Sequence, residues 1–245
     1  MNFSFDYSKK RVLVTGGVSG IGRAVSLAFA AAGAEVVACG LTEAELAAAR
    51  ADPAFGQVRL VQLDVTDKAA VDQLLGAMES LDAVVTSAGI IRRDSEHDPE
   101  VFDEVIDVNL SGSMRVATAA RPLLARSKGS VVLVGSVMSF FGGPRQPAYS
   151  ASKGAIRNLT MSLACAYAAD GIRVNAVAPG WVITDLSRGA RENEERNAMI
   201  LARTPMNRWA QPDEIADPVL FLCSDAARFM TGTVMLVDGG FTSVG

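Results

Sequence analysis

Cysteine is scarce in this chain. Cys39, Cys165 and Cys223 are an odd number at wide spacings with no CxxC pair, which excludes a disulfide framework and a zinc ribbon. His97 is the single histidine. It leaves triad chemistry without support, excludes a histidine-rich metal site, and reads as a solvated loop residue. No window reaches the roughly 18 uncharged apolar residues of a membrane span. Residues 1–10 carry no apolar core of the kind a secretory leader needs, so the chain reads as cytoplasmic. An excess of basic charge is also missing: 23 Lys and Arg against 27 Asp and Glu leave a net charge of −4. Without Lys/Arg blocks, a nucleic-acid partner is not expected. No Pro/Gly/Ser linker, internal repeat or low-complexity stretch divides the sequence.

What is present is an ordinary globular composition over 245 residues, 49% hydrophobic and 20% charged. A chain of this length buries roughly 70% of its unfolded surface and needs no staple. Short β-branched runs at 11–15, 35–39, 58–62, 83–86, 130–135, 173–177 and 233–237 read as strands. Between them, residues 21–32, 43–50, 68–78, 99–118, 150–169, 191–201 and 213–223 carry helical periodicity. Alternation of this kind builds a parallel sheet from βαβ units. Several strands are continuously apolar, as expected where helices cover both faces. The expected fold is α/β: one Rossmann-type domain over residues 1–245, a doubly wound parallel seven-stranded sheet with helices on both faces.

The first strand runs into Thr15-Gly16-Gly17-Val18-Ser19-Gly20-Ile21-Gly22 and then an amphipathic helix. Glycines placed there allow a tight turn, close backbone approach of a pyrophosphate and helix-on-strand packing, and the helix N-terminus offers free N–H groups to phosphate. This predicts a dinucleotide site. Tyr149 and Lys153 stand four apart at a helix start, so they share one face. A tyrosine can exchange a proton with a carbinol or carbonyl if its pKa is brought down from about 10, and a nearby ammonium favours phenolate. YxxxK alone also fits a plain surface helix.

The TGxxxGxG spacing resembles that of the short-chain dehydrogenase/reductase family, and the likeness covers essentially the whole chain. Leu63-Asp64-Val65, Ser87-Ala88-Gly89, Val108-Asn109-Leu110, Tyr149-Ser150-Ala151-Ser152-Lys153, Arg173-Val174-Asn175, Pro179-Gly180 and Val237-Asp238-Gly239-Gly240 match its motifs in order. Thr86-Ser87 departs from the usual NNAG. The resemblance implies a catalytic tetrad of Asn109, Ser136, Tyr149 and Lys153, with Ser136 holding the substrate oxygen. Asn109 would locally break its helix and hold a water linking Lys153 to solvent.

The same resemblance implies a nicotinamide cofactor held by Gly16, Ser19, Gly20, Ile21, Gly22, Ala88, Gly89, Tyr149 and Lys153. Asp64 and Val65 would meet the adenine, although Asp64 also fits a helix cap. Pro179, Gly180, Val182 and Thr184 would lie by the nicotinamide. Family members place an acid at Gly40 for NAD, or cations at Leu41 and Ser19 for a 2′-phosphate. Neither is present, and an unpaired phosphate dianion is the greater loss, so NAD is expected over NADP.

Ile90-Ile91-Arg92-Arg93 and the Met138-to-Arg145 loop resemble sugar-acid members of the family, such as 2-keto-3-deoxy-gluconate and gluconate 5-dehydrogenases. Arg92, Arg93 and Arg145 are the candidate carboxylate ligands, Arg145 foremost, beneath a substrate lid at about 181–210. Binding surface acids or neighbouring subunits is the alternative reading of these arginines. Reduction of 3-oxoacyl thioesters with NADPH is the second reading of function, and non-catalytic binding on the same fold a third. The last strand and the helix from Ser150 resemble the family's subunit contacts, which implies a homotetramer. Asp103, Glu104 and Asp107 read as a solvated face, and the methionines as core filler.

Overall fold

Each strand of the computed structural model alternates its side chains between two helical layers. The structure describes residues 5–244; residue 245 and residues 1–4 of the N-terminal segment read above lie outside the described residues. The strands are β1 (Arg11–Thr15), β2 (Glu35–Gly40), β3 (Arg59–Gln62), β4 (Ala83–Thr86), β5 (Ser130–Val134), β6 (Arg173–Pro179) and β7 (Val234–Val237). They form one parallel sheet in the order β3-β2-β1-β4-β5-β6-β7. The order reverses between β1 and β4, and the crevice beyond their carboxyl ends is where such sheets hold ligands.

Helices α1 (Gly20–Ala31), α2 (Glu43–Ala51), α3 (Lys68–Gly76), α4 (Pro99–Ile106), α5 (Gly112–Ser127), α6 (Pro147–Tyr167), α7 (Arg188–Arg191), α8 (Glu194–Arg203) and α9 (Asp213–Cys223) complete the described fold. Leu13, Val84, Val131 and Val174 face Leu124 and Ile156 in one layer. Val12, Val14, Val85 and Val177 face Val25, Phe29 and Ile215 in the other. Two buried faces explain why the strands read as continuous apolar runs.

The helical stretch expected over 99–118 carries the expected break at Asn109, a π-helical turn over Asp107–Ser111. Several other expectations are corrected. Tyr149 lies in the first turn of α6 rather than in the loop before it, because Pro147 starts the helix with a preset φ. The helix expected at 191–201 begins instead at Glu194, as α8, where Asn193 caps it by accepting from Arg196 N at 2.9 Å; Arg191 ends the short α7 before it. Of the methionines, Met78 is buried, but Met114, Met161, Met199 and Met206 are exposed. The acidic face is partly engaged, since Glu104 pairs with Arg92 and Asp107 with Arg115. His97 is exposed, and its Nε2 lies 3.0 Å from the Pro144 carbonyl oxygen.

Candidate active site

The carboxyl ends of β1, β4, β5 and β6 open into one cavity of about 1190 Å³. Gly16 has φ +62, and a Cβ there would meet Ala88 Cα at 2.8 Å; one on Gly22 would meet Gly16 O at 2.1 Å. The turn therefore admits only glycine at these two places. Helix α1 starts beside it with no side-chain cap and no acid in its first turn, leaving its first N–H groups free for an anion. These residues fit the pyrophosphate of a dinucleotide. Ser19, Gly20, Ile21, Leu41, Asp64, Val65, Ala88, Gly89, Pro179, Gly180, Val182 and Thr184 line the same cavity. Asp64 is not the helix cap: Asp67 caps α3, while Asp64 Oδ1 accepts from Thr66 N at 2.8 Å.

Gly40 does not line the cavity, and a Cβ there would lie 2.8 Å from Val18 Cγ2. The acid missing from that position nevertheless arrives from α2. Glu45 lines the cavity, and its Oε2 accepts from Leu41 N at 2.8 Å within a capping box whose other member is Thr42. The Thr42-x-x-Glu45 pattern was the sequence signal for it.

At the other end, β5 delivers Ser136, and α6 delivers Tyr149 and Lys153 to the cavity wall. Lys153 Nζ donates to Val134 O at 2.8 Å and lies 5.5 Å from the Tyr149 ring centroid. Burial pushes the Lys153 ammonium down to about 8. Burial raises the Tyr149 phenol above its usual value; the Ser136 hydroxyl opposes that, Glu96 adds to it and Arg93 opposes it. Asn109 lies behind the wall, 1% exposed. Its Oδ1 accepts from Ile90 N at 2.7 Å, and its Nδ2 donates to Ile90 O at 2.9 Å and Ser152 Oγ at 3.1 Å. The arrangement can relay a proton to or from an oxygen bound between Ser136 and Tyr149 while a dinucleotide lies along the glycine turn.

The profile of a family described as enoyl-(acyl carrier protein) reductase matches residues 16–242. The chain belongs to the short-chain dehydrogenase/reductase family. It is an NAD(P)-dependent oxidoreductase acting on CH–OH groups. It is 37% identical to a 2-dehydro-3-deoxy-D-gluconate 5-dehydrogenase of Pseudoalteromonas atlantica, over 97% of each chain. It is 36% identical to the Bacillus subtilis protein of the same name, over 98% of this chain and 97% of the relative. A 3-oxoacyl-[acyl-carrier-protein] reductase of Thermotoga maritima is 37% identical, over 94% and 97%. An Agrobacterium tumefaciens structure with bound NADP superposes with a TM-score of 0.88 at 37% identity, covering 99% of this chain and 100% of that one.

Arg92, Arg93 and Arg145 all reach the cavity but differ in what holds them. Arg92 is paired with Glu104, and Arg145 with both oxygens of Asp94. Arg93 has no ion pair among the described residues; burial, Arg196 and Arg145 push its guanidinium down to about 10. Arg196, on α8, also lines the cavity and stacks 5.5 Å from the Trp181 ring centroid. Neither Arg196 nor Glu96 was singled out in the sequence. A lone charge in a polar segment carries no local pattern, and only the fold shows what it faces. Among the described residues no cluster of His, Cys, Asp and Glu is placed to hold a metal.

Proposed function

We propose that this enzyme oxidises a secondary alcohol of a sugar acid or 2-keto-3-deoxy acid with NAD, in the cytoplasm, as a homotetramer. The observation that carries the acid substrate is Arg93, a half-buried guanidinium with no carboxylate partner beside the proton-relay residues. Arg196 adds a second such cation from the proposed lid, and Trp181 Nε1 is buried in the same wall without a hydrogen-bond partner. A substrate carboxylate would pair with both guanidinium groups. The named relatives agree with this substrate class.

In this reading Ser136 holds the substrate oxygen, Tyr149 takes its proton, Lys153 favours the phenolate, and Asn109 holds the loop at Ile90 against α6, its amide hydrogens going to Ile90 O and Ser152 Oγ rather than to the water expected from the sequence. The nicotinamide supplies the hydride acceptor and a positive ring charge. Glu45 beside Leu41 supports NAD, since a 2′-phosphate there would meet a carboxylate rather than a cation.

Arg93→Ala is expected to raise KM for an acid substrate by about tenfold or more while changing little for its neutral lactone or polyol analogue. Arg145→Ala should cost less, because Asp94 already occupies that guanidinium. Equal losses on charged and neutral substrates would make Arg93 structural, and turnover confined to acyl thioesters with NADPH would select the second reading. For the tetramer, Leu236 on β7 and Met161 on α6 are exposed apolar side chains, on the two elements expected to pair subunits. Sedimentation should show four copies at micromolar concentration; a lone monomer would refute the assembly.

A further inference from the structure

Among the described residues, the buried charged side chains are Lys153 and Glu96. The lysine is explained by the relay; the glutamate is not. Glu96 lies between β4 and α4, 1% exposed, with no ion pair. Its two oxygens are each taken by a backbone N–H: Arg92 N donates to Oε1 at 2.8 Å, and Tyr149 N donates to Oε2 at 2.8 Å. Tyr149 N belongs to the first turn of α6, where a helix has no acceptor of its own. Gln146, the residue at the cap position, makes no side-chain bond there. Glu96 therefore caps this helix from 53 residues away, and the helix dipole favours its negative charge.

We propose that Glu96 is a positioning residue for Tyr149, clamping the start of α6 to the segment that carries Arg92 and Arg93. The clamp has a counterpart in Asn109, which binds Ile90 N and O on the same segment and Ser152 Oγ on the same helix. Two cross-links thus join one loop to one helix, one at the tyrosine's own N–H and one three residues further along, at Ser152. The chemistry requires a carboxylate: two donors converge on two acceptors, and a carboxamide would turn its NH₂ toward one of them. The position also sets charge. Ser136 from β5, Lys153 from α6 itself, and Glu96 and Arg93 from the β4–α4 segment surround the phenol, and of these Glu96 alone disfavours phenolate. His97, adjacent in sequence, is engaged with the Pro144 carbonyl.

The inference rests on Tyr149 as the proton carrier. The test compares Glu96→Gln and Glu96→Asp with the wild-type holoenzyme by kcat, KM, cofactor affinity and the pH profile of alcohol oxidation. Glu96→Gln should lower kcat about tenfold or more, as misplacement of a reacting group does, with cofactor affinity kept within about twofold. The limb along which oxidation rises with pH should move to lower pH, because a negative charge opposing phenolate is gone. Glu96→Asp keeps the charge but is one methylene short, so kcat should fall while the limb stays in place. If Glu96→Gln does not fold, a wild-type kcat in Glu96→Asp overturns the proposal. So does a limb unmoved in a folded Glu96→Gln, or a loss shared equally with cofactor binding. If Tyr149→Phe keeps near wild-type turnover, the relay reading has failed instead.

Discussion

Tyr149→Phe should lower alcohol oxidation by at least about 10²-fold, the usual scale for losing a positioned acid or base. Cofactor affinity should stay within about twofold, since the ring, its backbone bond to Glu96 and the glycine turn are unchanged. What goes is the one hydroxyl able to exchange a proton with an oxygen held at Ser136. Its environment sets the pH dependence: burial raises the phenol, so oxidation should climb with pH as the phenolate forms. Lys153 loses its charge near 8 and stands 5.5 Å from the ring centroid, so its support for phenolate weakens above that pH. Turnover in Tyr149→Phe within a few-fold of wild type, with an unchanged pH profile, would reject the tyrosine as proton carrier.

The cofactor preference should shift toward NADP by about 10 to 150-fold in the double variant Leu41→Arg/Glu45→Gln, measured as the ratio of kcat/KM for the two cofactors. The range is one charge-assisted contact of about 1.5–3 kcal/mol converted to a ratio. Both changes are needed because a new guanidinium at 41 would otherwise find the Glu45 carboxylate, which already accepts from Leu41 N. Gln in place of Glu keeps the capping box, so α2 should stay intact. Leu41→Arg alone should shift the ratio less than the double variant. A wild-type enzyme that already prefers NADP would show that the cavity meets the 2′-phosphate by other contacts, and NADP bound in a solved relative makes that comparison direct.

Most of the fold was readable because it is specified by local pattern. Seven apolar runs became seven strands, and errors at their ends were of a residue or two, as at β3 and β7. The helix boundaries moved where a single residue decided them, Pro147 at the start of α6 and Asn193 between α7 and α8. The exposed methionines were misread because composition was used in place of position: Met114, Met161 and Met199 lie on solvent-facing helix positions and Met206 in the loop after α8. The glycine turn, Asp64 and the residues of the relay meet in one cavity, with Asn109 behind it. Gly40 sits off the cavity wall, with Val18 packed over the place a Cβ there would need.

The arginines show where chain order stops being informative. Arg145 ranked first because it lies between Ser136 and Tyr149 in the sequence, yet Asp94 binds its guanidinium through both oxygens. Arg93 ranked lower and is the one without a carboxylate. By itself the sequence determined the parallel sheet, the turn that only glycine permits and the four-residue step from Tyr149 to Lys153, since all three follow from backbone periodicity and spacing along the chain. The tertiary structure alone decided which charges meet: Glu45 at Leu41, Asp94 at Arg145, and Glu96 at Tyr149 N across 53 residues. Such pairings depend on where the sheet brings distant loops together, and burial, which makes each charge matter, exists only once they are packed.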